Sequence, residues 1–125
     1  MIAGRVLTLF SSEGVTASVN GNSVIADSPA KACILRLTAV ENSGTSTLDV
    51  KVQHSPTGAT NTWKDVSSFT QLSASGMEDI HLTDITRVLW SCFRVVVTVS
   101  GTGNWDIDVI MGLKVVVTFA QRGYG

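Results

Sequence analysis

Cysteine, proline, aromatic side chains and excess charge are all scarce in this chain, and each scarcity removes a class of protein. Among 125 residues there are two cysteines, Cys33 and Cys92. Two do not make the disulfide framework that small secreted domains use in place of a core. Neither has a CxxC partner or the Cys and His spacing of a zinc site, and each lies in an apolar stretch, where a reduced thiol behaves as a small hydrophobe. Nine Lys and Arg against ten Asp and Glu leave a formal charge of −1, so no net field gathers phosphate backbones or an anionic membrane surface. The basic residues stand singly, without the runs that mark a basic tail. Neither nucleic acid nor a membrane is an expected partner. No apolar run reaches the roughly 18 residues of a membrane span, because Arg94, Asp106, Asp108 and Lys114 interrupt the two most hydrophobic regions. The short apolar run after Arg5 is too brief for a secretory h-region, so a soluble chain made in the cytoplasm is expected.

What is present is a pattern of period two. An apolar share of 44% with 15% charged residues is that of a chain that packs a core, and the length predicts a single domain over residues 1–125. Leu48, Val50 and Val52 interleave with Asp49, Lys51 and Gln53, as a strand with one wet face requires. Cys33, Leu35, Leu37 and Ala39 alternate likewise, and the turn-rich link "ENSGTST" predicts a hairpin between the two segments. Ile107, Val109, Met111, Leu113, Val115, Val117 and Phe119 hold every odd position, as do Phe93, Val95, Val97 and Val99 before them. The glycines of "SGTGN" between these two runs predict a second hairpin. Shorter strands are expected over residues 6–10, as a pair around Asn20-Gly21-Asn22, and over residues 63–69. The segment "MEDIHLTDITRVL" allows one turn of helix and no more. The fold class is therefore all-β, a two-layer antiparallel sandwich of about seven or eight strands, immunoglobulin-like or jelly-roll-like.

Chemistry is poorly supplied. A hydrolytic triad needs a base, and His54 and His81 are the two histidines. His54 shares the parity of Val50 and Val52, which places it on the inner face near a strand end, while His81 is expected in a loop among Glu78, Asp79 and Asp84. That acidic group and the Asp106/Asp108 pair lack the ligand density and turn glycine of a calcium loop, and both read as solvated surface rather than a metal site. No glycine pattern offers a phosphate cradle. Trp63, Trp90 and Trp105 are either core and interface anchors, the preferred reading, or a platform for stacking a sugar. No catalytic residue, cofactor or metal is expected, and the chain is not expected to be an enzyme.

One feature departs from a freestanding sandwich. The even positions that should face water include Trp90, Val96, Ile110 and Val116. Scattered exposed apolar side chains are ordinary, but a contiguous set marks a contact surface, and these four residues are the candidate interface.

The block "SGTSTLDVKVQHSPTGATNTWKDVSSFTQLSASG", with "FRVVVTVSGTGNWDIDVIM" after it, resembles small virion proteins of tailed bacteriophages. The resemblance spans roughly residues 43–111 and rests on the strand 48–55, Trp63 with Asp65, Phe69 with Gln71, Gly76, and the strand 94–102. It implies a capsid decoration, or cement, protein that seats on the lattice of the major capsid protein, commonly as a trimer, within a virion assembled in the host cytoplasm. A neck, tail or head-fibre component is the nearest competitor, and a carbohydrate-binding β-sandwich module is the alternative from another class. The residues leading to Phe10 or trailing from Ala120 to Gly125 are expected to supply a strand or arm between subunits.

Overall fold

The structure, a computed structural model, describes residues 2–25, 32–82 and 92–116, with side chains for 6–25, 34–82 and 92–112. Within these residues nine strands form: β1 (Ile2–Val15), β2 (Val19–Asn20), β3 (Val24–Ile25), β4 (Ala32–Ser43), β5 (Ser46–Ser55), β6 (Lys64–Ser68), β7 (Gly76–Leu82), β8 (Cys92–Gly101) and β9 (Asn104–Val116). No helix of the described residues is long and apolar enough to cross a membrane.

The strands make two antiparallel sheets, one of four strands in the order β1-β9-β4-β7 and one of five in the order β2-β8-β5-β6, with β3 also on β8. The pairs nest: β1 with β9, β2 and β3 with β8, β4 with β7, β5 with β6. A ribbon of paired strands folded over on itself in this way is a jelly roll, which decides between the two sandwiches expected from sequence. Counting β2 and β3 as one interrupted strand gives the eight of that fold.

Parity assigns the core correctly. Leu35 and Leu37 of β4, Leu48, Val50 and Val52 of β5, Phe93, Val95 and Val97 of β8, and Trp105, Ile107, Val109 and Met111 of β9 are all buried between the sheets. Burying each such side chain stabilises the fold by about 1.5–3 kcal/mol relative to exposure. In β1 the period breaks at two bulges, between Thr8 and Phe10 and between Ser12 and Val15. Each extra residue reverses the parity of those that follow, so the core takes Leu9 from the first stretch and Val15 from the last.

Both expected hairpins are corrected. β4 and β5 lie in different sheets, as do β8 and β9, so "ENSGTST" and "SGTGN" are corners that carry the chain from one layer to the other. Turn glycines mark a reversal without specifying whether the chain returns beside itself or across the sandwich. Here the two corners lie against each other: Thr102 N donates to Thr45 O at 3.0 Å, and Gly44 and Gly101 take φ of 83° and 110°, where a side chain would be strained. The pair around Asn20-Gly21-Asn22 also differs, since β2 and β3 both align along β8 instead of pairing with each other. The helical turn allowed for "MEDIHLTDITRVL" is strand through Leu82, with Glu78, Ile80 and Leu82 on the less exposed side; residues 83–91 lie outside the described ones.

At the paired corners Trp105, fully buried, donates its indole N–H to Ser46 Oγ at 2.8 Å. Gly103 packs against both groups so closely that a Cβ there would overlap Ser46 and stand 2.7 Å from Trp105 Nε1. Gly103→Ala should therefore cost about 2–3 kcal/mol by overpacking, read as a fall in the urea midpoint. Gly112→Ala, whose Cβ would meet only the Ile34 carbonyl at 4.0 Å, should leave the midpoint nearly unchanged.

Candidate functional site

Two outer faces carry features beyond solvation. On the four-stranded sheet the register sets Val6 and Ile34 on either side of Gly112, with Thr8 and Arg36 flanking Ile110 in the neighbouring row. Val6 is 70% exposed, Ile34 and Ile110 are half-buried, and Gly112 between them brings no side chain. Charge borders this strip: Arg36 grips Asp79 with Nε and Nη2 at 2.7 and 3.0 Å. The guanidinium's hydrogen bonds hold the Asp79 carboxyl below its ordinary range and raise the Arg36 pKa in turn. The carboxylates of β9 serve β1 and the end of β4. Asp108 accepts from Ser11 Oγ at 2.6 Å, while Asp106 accepts from Gly14 N at 3.0 Å and Asn42 Nδ2 at 2.8 Å.

The candidate interface residues do not form one surface. Ile110 lies on the strip just described. Val96 belongs to β8 in the other sheet, opposite Lys51 and Asn20, and its half-buried side chain borders a depression of about 310 Å³ on the far side of the sandwich. Val116 ends β9 with Ile2 as its backbone partner, and Trp90 lies outside the described residues. The segment leading to Phe10, expected as an arm, is an edge strand paired within its own chain, and residues 117–125 are not described.

The five-stranded sheet bears an open polar cleft of about 640 Å³ at the end where β2, β8 and the 56–63 link meet. Its floor is a relay: Lys51 pairs with Asp65 at 3.2 Å, Gln53 Nε2 donates to Asp65 at 2.9 Å, Arg94 Nε donates to Gln53 Oε1 at 2.8 Å, and the Arg94 guanidinium stacks 4.6 Å from the Trp63 ring centre. The hydrogen bond from Gln53, and after it that from Lys51, holds Asp65 below its ordinary value. The wall is knit by buried Ser55, whose Oγ accepts from Thr57 N and Gly58 N at 3.2 and 2.8 Å and shares a 2.5 Å hydrogen bond with Thr62 Oγ1. Sequence reading did not assemble this group, because alternation puts Gln53 and Arg94 on wet faces without revealing that β5 and β8 set them opposite each other.

The candidate chemical groups disperse. Glu78 turns to the Thr70 amide at 2.7 Å, Asp79 projects the other way to Arg36, and Asp84 is not described. His81, expected in a loop, is exposed on β7. His54 is buried against Phe93, with ring centres 6.3 Å apart, on the inner face near a strand end as parity required. Among the described residues no three His, Cys, Asp or Glu gather as metal ligands. Of the tryptophans, Trp105 is core and Trp63 lines the cleft.

No protein-family model matches the chain, and no curated protein shows significant similarity to it. Among solved structures it is similar to VP2 of infectious bursal disease virus in a subviral particle, with TM-score 0.58 and 14% identity over 91% of this chain and 32% of that one. It is also similar to the structure of the Gx strain of that virus, with TM-score 0.53 and 12% identity over 92% of this chain and 33% of that one. The chain thus spans about a third of each of these two proteins, and at these identities the likeness is one of fold.

Because Asp65 and Asp79 titrate lower folded than unfolded, their contribution to stability is present above the ordinary value of 3.8 and is lost as pH falls through their folded values. Gln53→Leu should move the Asp65 titration up toward 3.8, followed by carboxyl ¹³C NMR, and should make acid destabilisation shallower.

Proposed function

We propose that this chain is a structural protein of a virus particle, and within that class a capsid decoration protein that binds the lattice of a major capsid protein and stabilises it. The observation that carries the reading is the outer strip of the four-stranded sheet. On its outer side Val6, at 70% exposure, and the half-buried Ile34 and Ile110 lie together around Gly112, and Met77, at 63% exposure, stands on the same sheet. Such a surface invites a protein partner, and a standard interface of about 800 Å² per partner fits on one face of so small a domain. Two further points support the reading: the resemblance of residues 43–111 to phage virion proteins, and a fold shared with VP2, described in a subviral particle. Self-association as a trimer and assembly in the host cytoplasm belong to the same proposal, with a neck, tail or head-fibre position as the alternative.

Purified particles of the virus that encodes the chain should contain it in many copies by quantitative mass spectrometry, and particles lacking it should release their genome at lower temperature. Ile110→Lys should reduce its incorporation at least tenfold, whereas Val96→Lys, on the opposite outer face, should not. Absence of the chain from particles would refute the virion reading. Full incorporation of the Ile110 variant would refute the assignment of this face.

A further inference from the structure

We propose that the polar cleft on the five-stranded sheet binds an acidic sugar residue, recognising its carboxylate with Arg94 and its hydroxyls with the surrounding amides. The inference stands independently of the virion reading, because it concerns the opposite face.

Four observations lead to it. The first is size: about 640 Å³ falls within the range of small-molecule sites, roughly 300–1,000 Å³. Second is the lining, which is almost wholly neutral and polar. Asn20, Asn22 and Asn61 with Gln53 offer side-chain amides, and Ser23 and Thr60 offer hydroxyls. Amides and hydroxyls both donate and accept, as sugar hydroxyls do. Trp63 is the sole large apolar contributor, too little for an apolar ligand.

Third is charge. Arg94 is the one charged side chain of the lining, and no carboxylate of the described residues pairs with it. The nearest acid in its network, Asp65, is engaged by Lys51 and reaches Arg94 only through the Gln53 amide. The guanidinium is thus held by Gln53 at Nε and by Trp63 at its face, leaving the rest of its five N–H donors for a ligand anion. A planar fork fixed in this way suits a carboxylate, which it meets bidentately.

Fourth is rigidity. Ser55 ties down the wall, and Gly21 closes the β2–β3 link onto β8 through a 2.7 Å bond to the Val95 carbonyl. Asn61 holds a φ of 71°, an unfavourable conformation that asparagine tolerates better than most residues. A wall set before binding lowers the ordering cost for a ligand that brings little apolar area.

The test is titration of the full chain with 3′-sialyllactose and with a galacturonic acid trimer, against lactose, inorganic phosphate and sulfate, followed by the indole N–H resonance of Trp63. At least one acidic saccharide should bind ten times more tightly than lactose. Arg94→Gln should lose at least tenfold of that affinity with its melting temperature unchanged, and Asn61→Gly, which keeps the backbone conformation, should weaken binding severalfold. Three results would overturn the proposal: no saturable binding of either acidic saccharide at millimolar concentration, undiminished binding by a folded Arg94→Gln, or equal affinity for phosphate or sulfate. Should the Arg94 variant fail to fold, Trp63→Leu carries the same expectation.

Discussion

The buried indole of Trp105 holds together two of the places where the chain changes sheet, the β4–β5 and β8–β9 corners, and the rest of the architecture depends on that junction. Its N–H could not be left without a partner in a dry interior, since an unsatisfied buried donor costs about 1–3 kcal/mol. Ser46 Oγ, at the first residue of β5, supplies the acceptor. The bond thereby joins the start of β9 in one sheet to the start of β5 in the other, and Gly103 gives the room for it. With β5 and β9 anchored at a common end, their central positions in the two sheets follow, and the inward residues of each are brought to face those of the other.

That junction also explains where reading from sequence succeeds and where it stops. Alternation reports which side of a strand is wet, because side chains at i and i+2 share a face whatever the neighbouring strand is. Hence the cores of β5, β8 and β9 and the inward setting of His54 were legible residue by residue. Partners were not, since "SGTGN" looks the same whether the chain turns back beside itself or crosses to the opposite layer. Bulges hid the far half of β1, where one inserted residue reverses the parity. The polar cleft was illegible for the same reason as the hairpins: Gln53, Arg94 and Trp63 meet only once β5, β6 and β8 are known to be neighbours. Val96 and Ile110 shared a parity and an apolar character, but parity within a strand does not say to which sheet the strand belongs.

The two outer surfaces differ in character. An apolar strip around Gly112 is suited to a broad protein contact, whose favourable term is area removed from water. The other side carries the polar cleft, where Arg94 is fixed by Gln53 and Trp63. Between them lies one packed core.

Backbone nuclear Overhauser contacts distinguish a crossing of sheets at the β4–β5 and β8–β9 corners from hairpins there. Cross-strand contacts are expected between Leu37 and Val109 and between Val52 and Val95, the register of β4 with β9 and of β5 with β8. A ladder of backbone contacts pairing Val97 with Ile107 and Val95 with Val109 would instead make β8 and β9 a hairpin, and would contradict the crossing.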